Sequence, residues 1–377
     1  MWNLDAVNCQ RIHLPEKQIH LVMLKSNFLN KSSRILIVLF ALFSLQGCPW
    51  VDPDYQFDYD IIITDTPANL EGLNSNYNDY NSDLPFRAAR MDIYFSTDRN
   101  SYGDEFDIIA RCLDISYHER DDVLNITIPQ NAAESMMDRK LLPLINTGFD
   151  QLGPYTYSEE GGLNYFFYAS NESEENPSGD FDIQFVYTPR LDWGTYNGQQ
   201  RLYGPFKADP ANSDADDLYP VIGEDIGKFL FCSNRENDAF DIYSIDLGQG
   251  PLFHDFLSGT YEPVITKEDV LSGEGNDKCP SLYGNCIVFA SDREGGYGGF
   301  DLYYSKYENN AWSEPVNFGS KINSANDEYR PVAFSFLDFS LLIFSSDRPG
   351  GKGMFDLYCV DISDIIDVPI GDHYWGY

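Results

Sequence analysis

The chain has 377 residues, enough for one large domain or two ordinary ones, and it carries a formal net charge of −35. A chain this acidic is not drawn to a phosphate backbone, so nucleic acid is excluded as a partner. Hydrophobic residues make up 43% of the sequence and aromatic residues 15%, which is sufficient for a substantial core. The 26 Tyr and 26 Phe residues favour pleated, half-buried strands.

A basic leader precedes the acidic part of the chain. The basic residues of segment 25–34 come before an apolar run at residues 35–45, which is too short to span a bilayer and typical of a signal-peptide core. The run is followed by Gln-Gly and then Cys48. This ending resembles a bacterial lipobox, which implies that Cys48 is lipidated and begins the mature chain. The alternative is a buried free thiol beside a short hydrophobic helix.

The leader sets the expected boundaries. Residues 1–22 do not fit a signal peptide, so we expect translation to start at Met23 and residues 1–22 to be a mis-assigned extension. Residues 23–47 then form a lipoprotein signal peptide, residues 48–56 a tether, and residues 57–377 a single folded domain. This predicts an outer-membrane lipoprotein of the bacterial cell envelope, facing the periplasm or the cell surface.

Five cysteines lie beyond Cys48 and form no Cys-x-x-Cys pair: Cys112, Cys232, Cys279, Cys286 and Cys359. Cys279 and Cys286 are close enough in sequence to bridge across a hairpin in an oxidising compartment. The others lie in strand-like runs and are expected to pack as small apolar residues.

One signature recurs five times in the acidic part of the chain. Two clear copies are FASDREGGYGGFDLYY from Phe289 and FSSDRPGGKGMFDLYC from Phe344, and looser copies begin at Phe95, Tyr168 and Phe231. Each copy reads as an apolar strand, Ser or Thr followed by Asp or Asn, a polar turn, and then Phe-Asp opening a second strand. The aspartates of the five Phe-Asp pairs are Asp107, Asp182, Asp241, Asp301 and Asp356.

Two further elements complete a repeat unit. A loop rich in Asn and Asp ends in a proline ahead of each copy, at Pro85, Pro154, Pro220, Pro280 and Pro331. An aromatic-Pro element lies ahead of that loop in several copies. One unit therefore has four strands, A to D, with strand A after the loop proline and strand C at Phe-Asp.

Four short strands in about sixty residues are typical of a propeller blade. The sequence thus predicts an all-β β-propeller of four-stranded blades, with five blades favoured and six possible. The longest interval between Phe-Asp pairs contains a helix-like segment near residues 131–143, which we expect to lie in the loop leaving blade one. It is also where a sixth blade could be hidden.

The last blade is predicted to be closed by the N-terminus. The fifth copy ends soon after strand C and lacks a strand D. A strand-D pattern followed by an Asn-Ser loop begins at Ile61, ahead of the first complete repeat. We therefore expect residues 57–70 to supply the missing outer strand, with residues 59–66 pairing with the segment 356–363. This arrangement would remove an open sheet edge.

The Asp-rich loop with its proline, the SSDRPGGKG turn and the FDLY strand resemble the WD-repeat-like propeller repeats of TolB-type periplasmic proteins. The resemblance covers about residues 57–365. It implies an envelope propeller that acts as a binding or scaffold module.

The repeated charged residues admit a structural and a functional interpretation. An aspartate opening strand C can accept bonds from backbone N–H groups of the preceding turn, and Arg293 and Arg348 can reach a neighbouring carboxylate. No cofactor is expected, although Ca²⁺ binding by the acidic loops stays an alternative. The polar turns between strands B and C and the Asn- and Asp-rich loops before strand A lie on the same face of a propeller. Candidates for binding a partner at that face are Arg235, Arg293, Tyr297, Asp327, Tyr329 and Arg348.

Two functions remain at this stage. The first is a non-enzymatic, lipid-anchored module that binds an envelope protein or polysaccharide, which the absence of Gly-x-Ser-x-Gly and His-Glu-x-x-His motifs favours. The alternative is a propeller glycosidase or lyase that uses carboxylates at the axis. With strand A of blade one placed from Phe86, only Glu224 and Asp225 contribute acids to the strands that line the axis, so no facing pair is predicted.

Overall fold

The structure, a computed structural model, describes residues 58–85, 89–132, 135, 138–159, 163–172, 179–189, 201–247, 253–257 and 263–366. These residues form five antiparallel sheets, each a propeller blade, and only two short helices. The prediction of an all-β propeller with five four-stranded blades is therefore confirmed. No helix among the residues described is long and apolar enough to cross a membrane.

The blades follow one another along the chain, with strand A innermost. Blade one contains β3 (Asp79–Asp83), β4 (Arg90–Thr97), β5 (Asp107–His118) and β6 (Val123–Ile128), with β1 (Tyr59–Ile63) outside β6. Blade two contains β7 (Gln151–Ser158), β8 (Leu163–Ser170), β9 (Asp182–Pro189) and β10 (Tyr203–Lys207). Blade three contains β11 (Asp217–Gly223), β12 (Lys228–Ser233), β13 (Asp241–Asp246) and β14 (Ile265–Lys267).

Blades four and five are built in the same way. Blade four contains β15 (Asp277–Tyr283), β16 (Cys286–Ser291) and β17 (Asp301–Glu308), and β17 pairs with both β18 (Ala311–Trp312) and β19 (Val316–Asn317). Blade five contains β20 (Glu328–Phe336), β21 (Phe339–Ser346), β22 (Asp356–Asp361) and β2 (Ala68–Asn69). The helices are α1 (Asp138–Ile145) and α2 (Phe253–Leu257).

The core lies between the blades, and this explains the apolar runs. Every residue of β16 is buried, because the blade is covered on both faces. Side chains alternate across a strand, so Ile287 and Phe289 pack towards blade three whereas Val288 and Ala290 pack towards blade five. A strand that is buried on both faces carries no polar alternation.

One backbone hydrogen bond joins each blade to the next. The first residue of strand A donates its N–H to the carbonyl of the Phe that precedes strand C in the previous blade. Examples are Asp217 to Phe181 and Asp277 to Phe240, both at 2.7 Å. The same bond crosses the closing junction, from Asp79 to Phe355, at 2.8 Å.

The N-terminal segment closes the ring, as predicted, but through a shorter stretch. Ala68 and Asn69 pair with Cys359 and Tyr358 in blade five. The predicted pairing of residues 59–66 with 356–363 is wrong, because β1 instead pairs with β6 of blade one along its whole length. Between residues 59–66 and that segment, the described backbone makes one hydrogen bond, from Asp361 N–H to the Thr64 carbonyl at 2.8 Å. The segment therefore covers two edges, the outer edge of blade one and the open side of blade five.

Strand A of blade one differs from the prediction. It is β3, at Asp79–Asp83, whereas Phe86, where the prediction began this strand, lies outside the described residues. Ser82 holds the place that proline takes in the other four blades, so Pro85 was aligned three residues too late. The local bond confirms this register, because Ser75 N–H donates to Asp79 Oδ2 at 2.5 Å, just as Ser213 N–H donates to Asp217 Oδ2 at 2.6 Å.

The helix predicted near residues 131–143 is present as α1, in the connection between blades one and two, but it begins later. Ser135 Oγ accepts from Asp138 N–H at 3.0 Å, while Asp138 Oδ2 accepts from Ser135 N–H at 3.3 Å. This reciprocal pair fixes the start of the helix.

All five described cysteines are free, and Cys279 and Cys286 form no disulfide. Cys279 packs in the cluster between blades three and four, whereas Cys286 packs in the cluster between blades four and five. The two thiols thus lie on opposite faces of the same hairpin.

A buried carboxylate braces four of the five blades. Asp277 is fully buried, and its Oδ1 lies 2.5 Å from Arg293 Nη2. The same guanidinium donates to Leu271 O at 2.7 Å and, through Nε, to Ser291 Oγ at 2.8 Å. Equivalent pairs are Arg99–Asp79, Arg235–Asp217 and Arg348–Glu328. In blade two, Gln151 and Glu172 replace both partners together, which avoids an unpaired buried charge.

Replacing Arg293 by glutamine should lower the free energy of unfolding by about 3–5 kcal/mol, because Asp277 would be left as an uncompensated buried charge. Urea denaturation measures this difference. Arg90→Gln is the matched control, since the Arg90 side chain is 65% exposed and lies 3.6 Å from Asp114. That exposed pair should contribute less than about 1 kcal/mol. Equal losses in the two variants would contradict a structural role for the buried brace.

Candidate functional site

The six residues predicted for a binding face are mostly engaged within the fold. The guanidinium groups of Arg235, Arg293 and Arg348 are bound to buried carboxylates, as described above. Asp327 Oδ1 accepts from Phe300 N–H at 2.8 Å, and Tyr329 packs edge-on against Tyr219. Tyr297, by contrast, is 52% exposed. The structure therefore does not gather these six side chains into one accessible group.

The Phe-Asp aspartates tie strand C to its surroundings. Asp301 Oδ2 accepts from Tyr297 N–H and from Asn317 Nδ2, both at 2.7 Å. In blade five, Asp356 is held in the same way, by Gly353 N–H at 3.0 Å and Asn69 Nδ2 at 3.0 Å. Asp182 and Asp241 instead bind lysines of strand D, Lys207 and Lys267, and Asp107 accepts from Asn100 Nδ2 at 2.9 Å.

The acidic loops considered for Ca²⁺ use their oxygens for hydrogen bonds inside the protein. Both Glu328 carboxylate oxygens accept from Ser324 at 2.6 Å, and Asp301 is bound as described above. Across the described ranges, no group of three or more His, Cys, Asp or Glu side chains could hold a metal ion.

A different group of side chains lies at the opposite face, where the turns between strands A and B meet. Asp83 ends strand A of blade one, and Glu224 follows strand A of blade three. Between them, Thr156 of blade two donates both its N–H, at 3.0 Å, and its hydroxyl, at 2.8 Å, to Asp83 Oδ2. The next residue, Tyr157, donates its hydroxyl to Glu224 Oε1 at 2.5 Å.

These contacts place one carboxylate on each side of the inner strand of blade two. Successive side chains of a strand point to opposite faces, so Thr156 holds Asp83 on one side and Tyr157 holds Glu224 on the other. Glu224 is exposed, whereas Asp83 is 6% exposed. Tyr155 fixes blade three at the same level, because its hydroxyl accepts from Ile222 N–H at 3.1 Å.

The environment of Tyr157 keeps its hydroxyl protonated. Burial raises the pKa of Tyr157 far above its usual range, and the hydrogen bond to Glu224 and the charges of Glu224 and Glu159 raise it further. Tyr157 therefore acts as a hydrogen-bond donor that positions Glu224. The Tyr157 ring packs against Tyr165 and Phe253, which fixes its hydroxyl beside the carboxylate.

Sequence reasoning missed Asp83 because strand A of blade one was placed too late. The signal was present, since Asn-Ser stands four residues before the buried acid in blades one, three and five, at Ser75, Ser213 and Ser324. Counting from that acid, Asp83 is the only acidic residue at its position, where the other blades have Tyr155, Val221, Ser281 and Val332.

A second acidic group lies on the same face of blade one. Asp83 is paired across the sheet with Tyr94, and Asp92 stands two residues before Tyr94 in β4. The Tyr94 hydroxyl donates to the buried Asp138 Oδ1 at 2.5 Å. Burial, followed by the charge of Asp138, raises the pKa of Asp92, and Arg90 opposes this shift.

A scan against protein-family models and a search of curated proteins gave no match. Solved structures do match. An α-L-arabinanase from Cellvibrio cellulosa complexed with arabinohexaose is 10% identical, with 75% of this chain and 91% of that chain covered and a TM-score of 0.40. An endo-arabinase from Bacteroides thetaiotaomicron is 11% identical, with coverages of 82% and 99% and a TM-score of 0.44. A family 117 glycoside hydrolase from Zobellia galactanivorans is 13% identical, with coverages of 85% and 95% and a TM-score of 0.41.

These neighbours correct the functional expectation. The chain is a five-bladed propeller, and the solved structures named above are glycoside hydrolases, not TolB-type or WD-repeat binding proteins. The prediction of a non-enzymatic scaffold for an envelope protein finds no support among these neighbours, whose likeness shows the fold alone. It rested on the resemblance of the repeat, on the absence of two catalytic motifs and on finding no facing pair of acids, and a fold does not by itself exclude an enzyme. The neighbours give no support to a lipoprotein or an outer-membrane protein either, and Cys48 lies outside the described residues.

The raised pKa of Asp92 predicts a pH-dependent effect of its removal. As the pH rises through the ordinary range for aspartate, the unfolded chain loses this proton first, so the native state is destabilised. Asp92→Asn should therefore raise the free energy of unfolding at neutral pH, and the gain should vanish at pH values below the pKa of an unperturbed aspartate. Chemical denaturation across pH measures this gain, with Asp225→Asn at an exposed acid as control. A gain that is independent of pH would contradict the assignment.

Proposed function

We propose that this chain hydrolyses glycosidic bonds, with Asp83 and Glu224 as its pair of carboxylates. The observation that carries the proposal is the placement of these two acids on either side of one inner strand, each held by a hydroxyl of that strand. Glycosidases commonly act through two carboxylates that flank the scissile bond.

The surroundings of the two acids suit different roles. Glu224 is exposed, so it can reach a glycosidic oxygen and donate a proton to the leaving group. Asp83 is nearly buried and accepts two hydrogen bonds, so it is the fixed group that takes a proton from an attacking water. Carboxylates on opposite sides of a strand leave room for that water, which favours inversion at the anomeric carbon.

The charge of the protein restricts the substrate. At a formal net charge of −35, an anionic polysaccharide would be repelled, whereas a neutral glycan would not. The four side chains that define the site, Asp83, Thr156, Tyr157 and Glu224, include no cation that could neutralise a uronate. We therefore favour hydrolysis of a neutral glycan over lyase chemistry on a uronate.

Activity measurements on single variants test this proposal. Arabinan, xylo-oligosaccharides and other neutral glycans should be screened for release of reducing ends, and NMR should show the inverted anomer as first product. Glu224→Gln and Asp83→Asn should each lower kcat by about 10²–10⁴, the usual contribution of general acid–base catalysis. Tyr157→Phe should reduce kcat less, because it only frees Glu224.

Asp225→Asn is the matched control, since it removes an exposed carboxylate one residue from Glu224 and should leave kcat unchanged. Circular dichroism and thermal midpoints verify that each variant is folded. Full activity in both Glu224→Gln and Asp83→Asn would contradict this site, and no hydrolysis of any neutral glycan would contradict the reaction.

Export to the bacterial cell envelope is a separate proposal, which rests on the leader sequence alone. Residues 23–47 have the pattern of a signal peptide that is cleaved before Cys48. Mass spectrometry of the mature protein from a bacterial expression host should therefore find an N-terminal peptide that starts at Cys48. A mature chain that retains residues 23–47 would contradict this proposal.

A further inference from the structure

The inner strands share an unusual feature at the propeller axis. Each strand A has a register shift at the same place, where two of its residues stand opposite one residue of strand B. The first of these two residues has a positive φ in every blade. These five axial residues are Asn81 (59°), Gly153 (58°), Tyr219 (55°), Cys279 (58°) and Arg330 (47°).

Contacts across the ring bring blades two, three and five together at the axis. Arg330 of blade five donates from Nη2 to the carbonyl of Pro154 in blade two at 3.0 Å. Its guanidinium carbon lies 5.2 Å from the centre of the Tyr219 ring of blade three. That ring lies where a side chain of blade two would otherwise be, since a Cβ at Gly153 would overlap it.

Among the residues that the structure describes, Arg330 is a buried cation without a carboxylate partner. It is 2% exposed, and it takes part in none of the ion pairs found among the described residues. Its Nε has no hydrogen-bond partner in that part of the chain. Arginine keeps its charge in proteins, and burying an unpaired charge is costly.

The nearby carboxylates cannot compensate this charge. The buried acids two residues earlier in strand A are each bound to an arginine of their own blade, and blade two has the neutral Gln151 instead. The four buried acids are thus matched by four arginines, and the positive charge of Arg330 comes in addition to these pairs.

The other titratable groups at the axis are neutral. Burial raises the pKa of the Cys279 thiol to about 11, so it does not supply a thiolate at neutral pH. Burial also raises the pKa values of the Tyr80, Tyr219 and Tyr329 hydroxyls well above their usual range. Among the described residues, none of these four groups therefore supplies a negative charge to Arg330 at neutral pH.

Asn81 is the second observation that points to a missing ligand. It is fully buried at the equivalent position of the neighbouring blade, and neither Nδ2 nor Oδ1 of its amide makes a hydrogen bond of ordinary geometry among the residues described; the Asn81 side chain only lies close enough to the Tyr80 hydroxyl to lower its pKa slightly against the effect of burial. A buried amide without partners costs free energy, so its N–H groups are available to a ligand at the axis.

We propose that the propeller axis binds a small monovalent anion of the halide class between Arg330 and Asn81. Arg330 supplies the positive charge and its free Nε–H, and Asn81 supplies amide N–H groups. The anion stabilises the closed ring by compensating a charge contributed by blade five beside blade one, the junction where the ring closes. This site is separate from Asp83 and Glu224 and does not depend on the proposed hydrolysis.

Bromide titration of the whole protein tests the proposal. Sodium bromide is exchanged against sodium gluconate at constant ionic strength, and unfolding is followed by urea denaturation. Above the dissociation constant, the apparent unfolding constant should fall about tenfold for each tenfold rise in bromide, because the anion binds only the native state. Anomalous diffraction from crystals grown in bromide should show one peak between Arg330 and Asn81.

Two variants and a control separate this site from general salt effects. Arg330→Met removes the charge, and Asn81→Asp supplies a built-in carboxylate of nearly the same shape, so both should lose the dependence on bromide. Asn81→Asp should also unfold at higher urea than the unchanged protein in gluconate alone. Arg90→Gln, which removes an exposed arginine, should keep the full dependence.

The outcomes are decisive even if Arg330→Met does not fold, because Asn81→Asp then carries the test. No dependence on bromide in the unchanged protein would overturn the proposal. A dependence that persists in Asn81→Asp would place the anion elsewhere and would also overturn it.

Discussion

The architecture depends on one backbone hydrogen bond that recurs at all five blade junctions. It runs from the first N–H of strand A to the Phe carbonyl before strand C of the preceding blade, at 2.7–2.8 Å in every case. Because this bond sets each inner strand against the previous blade, the angle between blades is repeated around the ring. Closure follows when Asp79 makes the same bond to Phe355 that the other inner strands make to their predecessors.

Around that bond, the repeated side chains build the blade. The acid of strand A binds its arginine, and the Phe-Asp aspartate binds groups of its own or the adjacent blade. This repeated pattern of partners satisfies charges that would be costly if left unpaired. Features found in most blades therefore explain stability. Blade two agrees with this interpretation, because Gln151 and Glu172 stand in place of both members of the buried pair and no buried acid is left without its arginine.

The residues proposed for chemistry and for anion binding are those that break the repeat. Asp83 is an acid where other blades have Tyr, Val, Ser and Val, and Arg330 is a cation where they have Asn, Gly, Tyr and Cys. A propeller of five blades brings equivalent positions of the blades together at its axis and at the face where the turns between strands A and B meet. A single departure from the repeat is thus surrounded by groups from several blades, which is the setting that a site requires.

The sequence alone favoured five blades, indicated most of the strands within them and predicted that the N-terminal segment closes blade five. These features follow from hydrogen bonds over fixed short spacings, which leave a repeated pattern of Asn, Asp, Pro and Phe-Asp. It could not place strand A of blade one, because Ser82 interrupts the proline pattern and Pro85 imitates it.

Only the tertiary structure brought Asp83 and Glu224 to the two sides of blade two, placed β1 at the edge of blade one, and set Arg330 against Pro154 and Tyr219 at the axis. Such contacts join residues that are far apart in the chain, and they exist only once the ring has closed. No local pattern encodes them, because each depends on which blade stands opposite or adjacent.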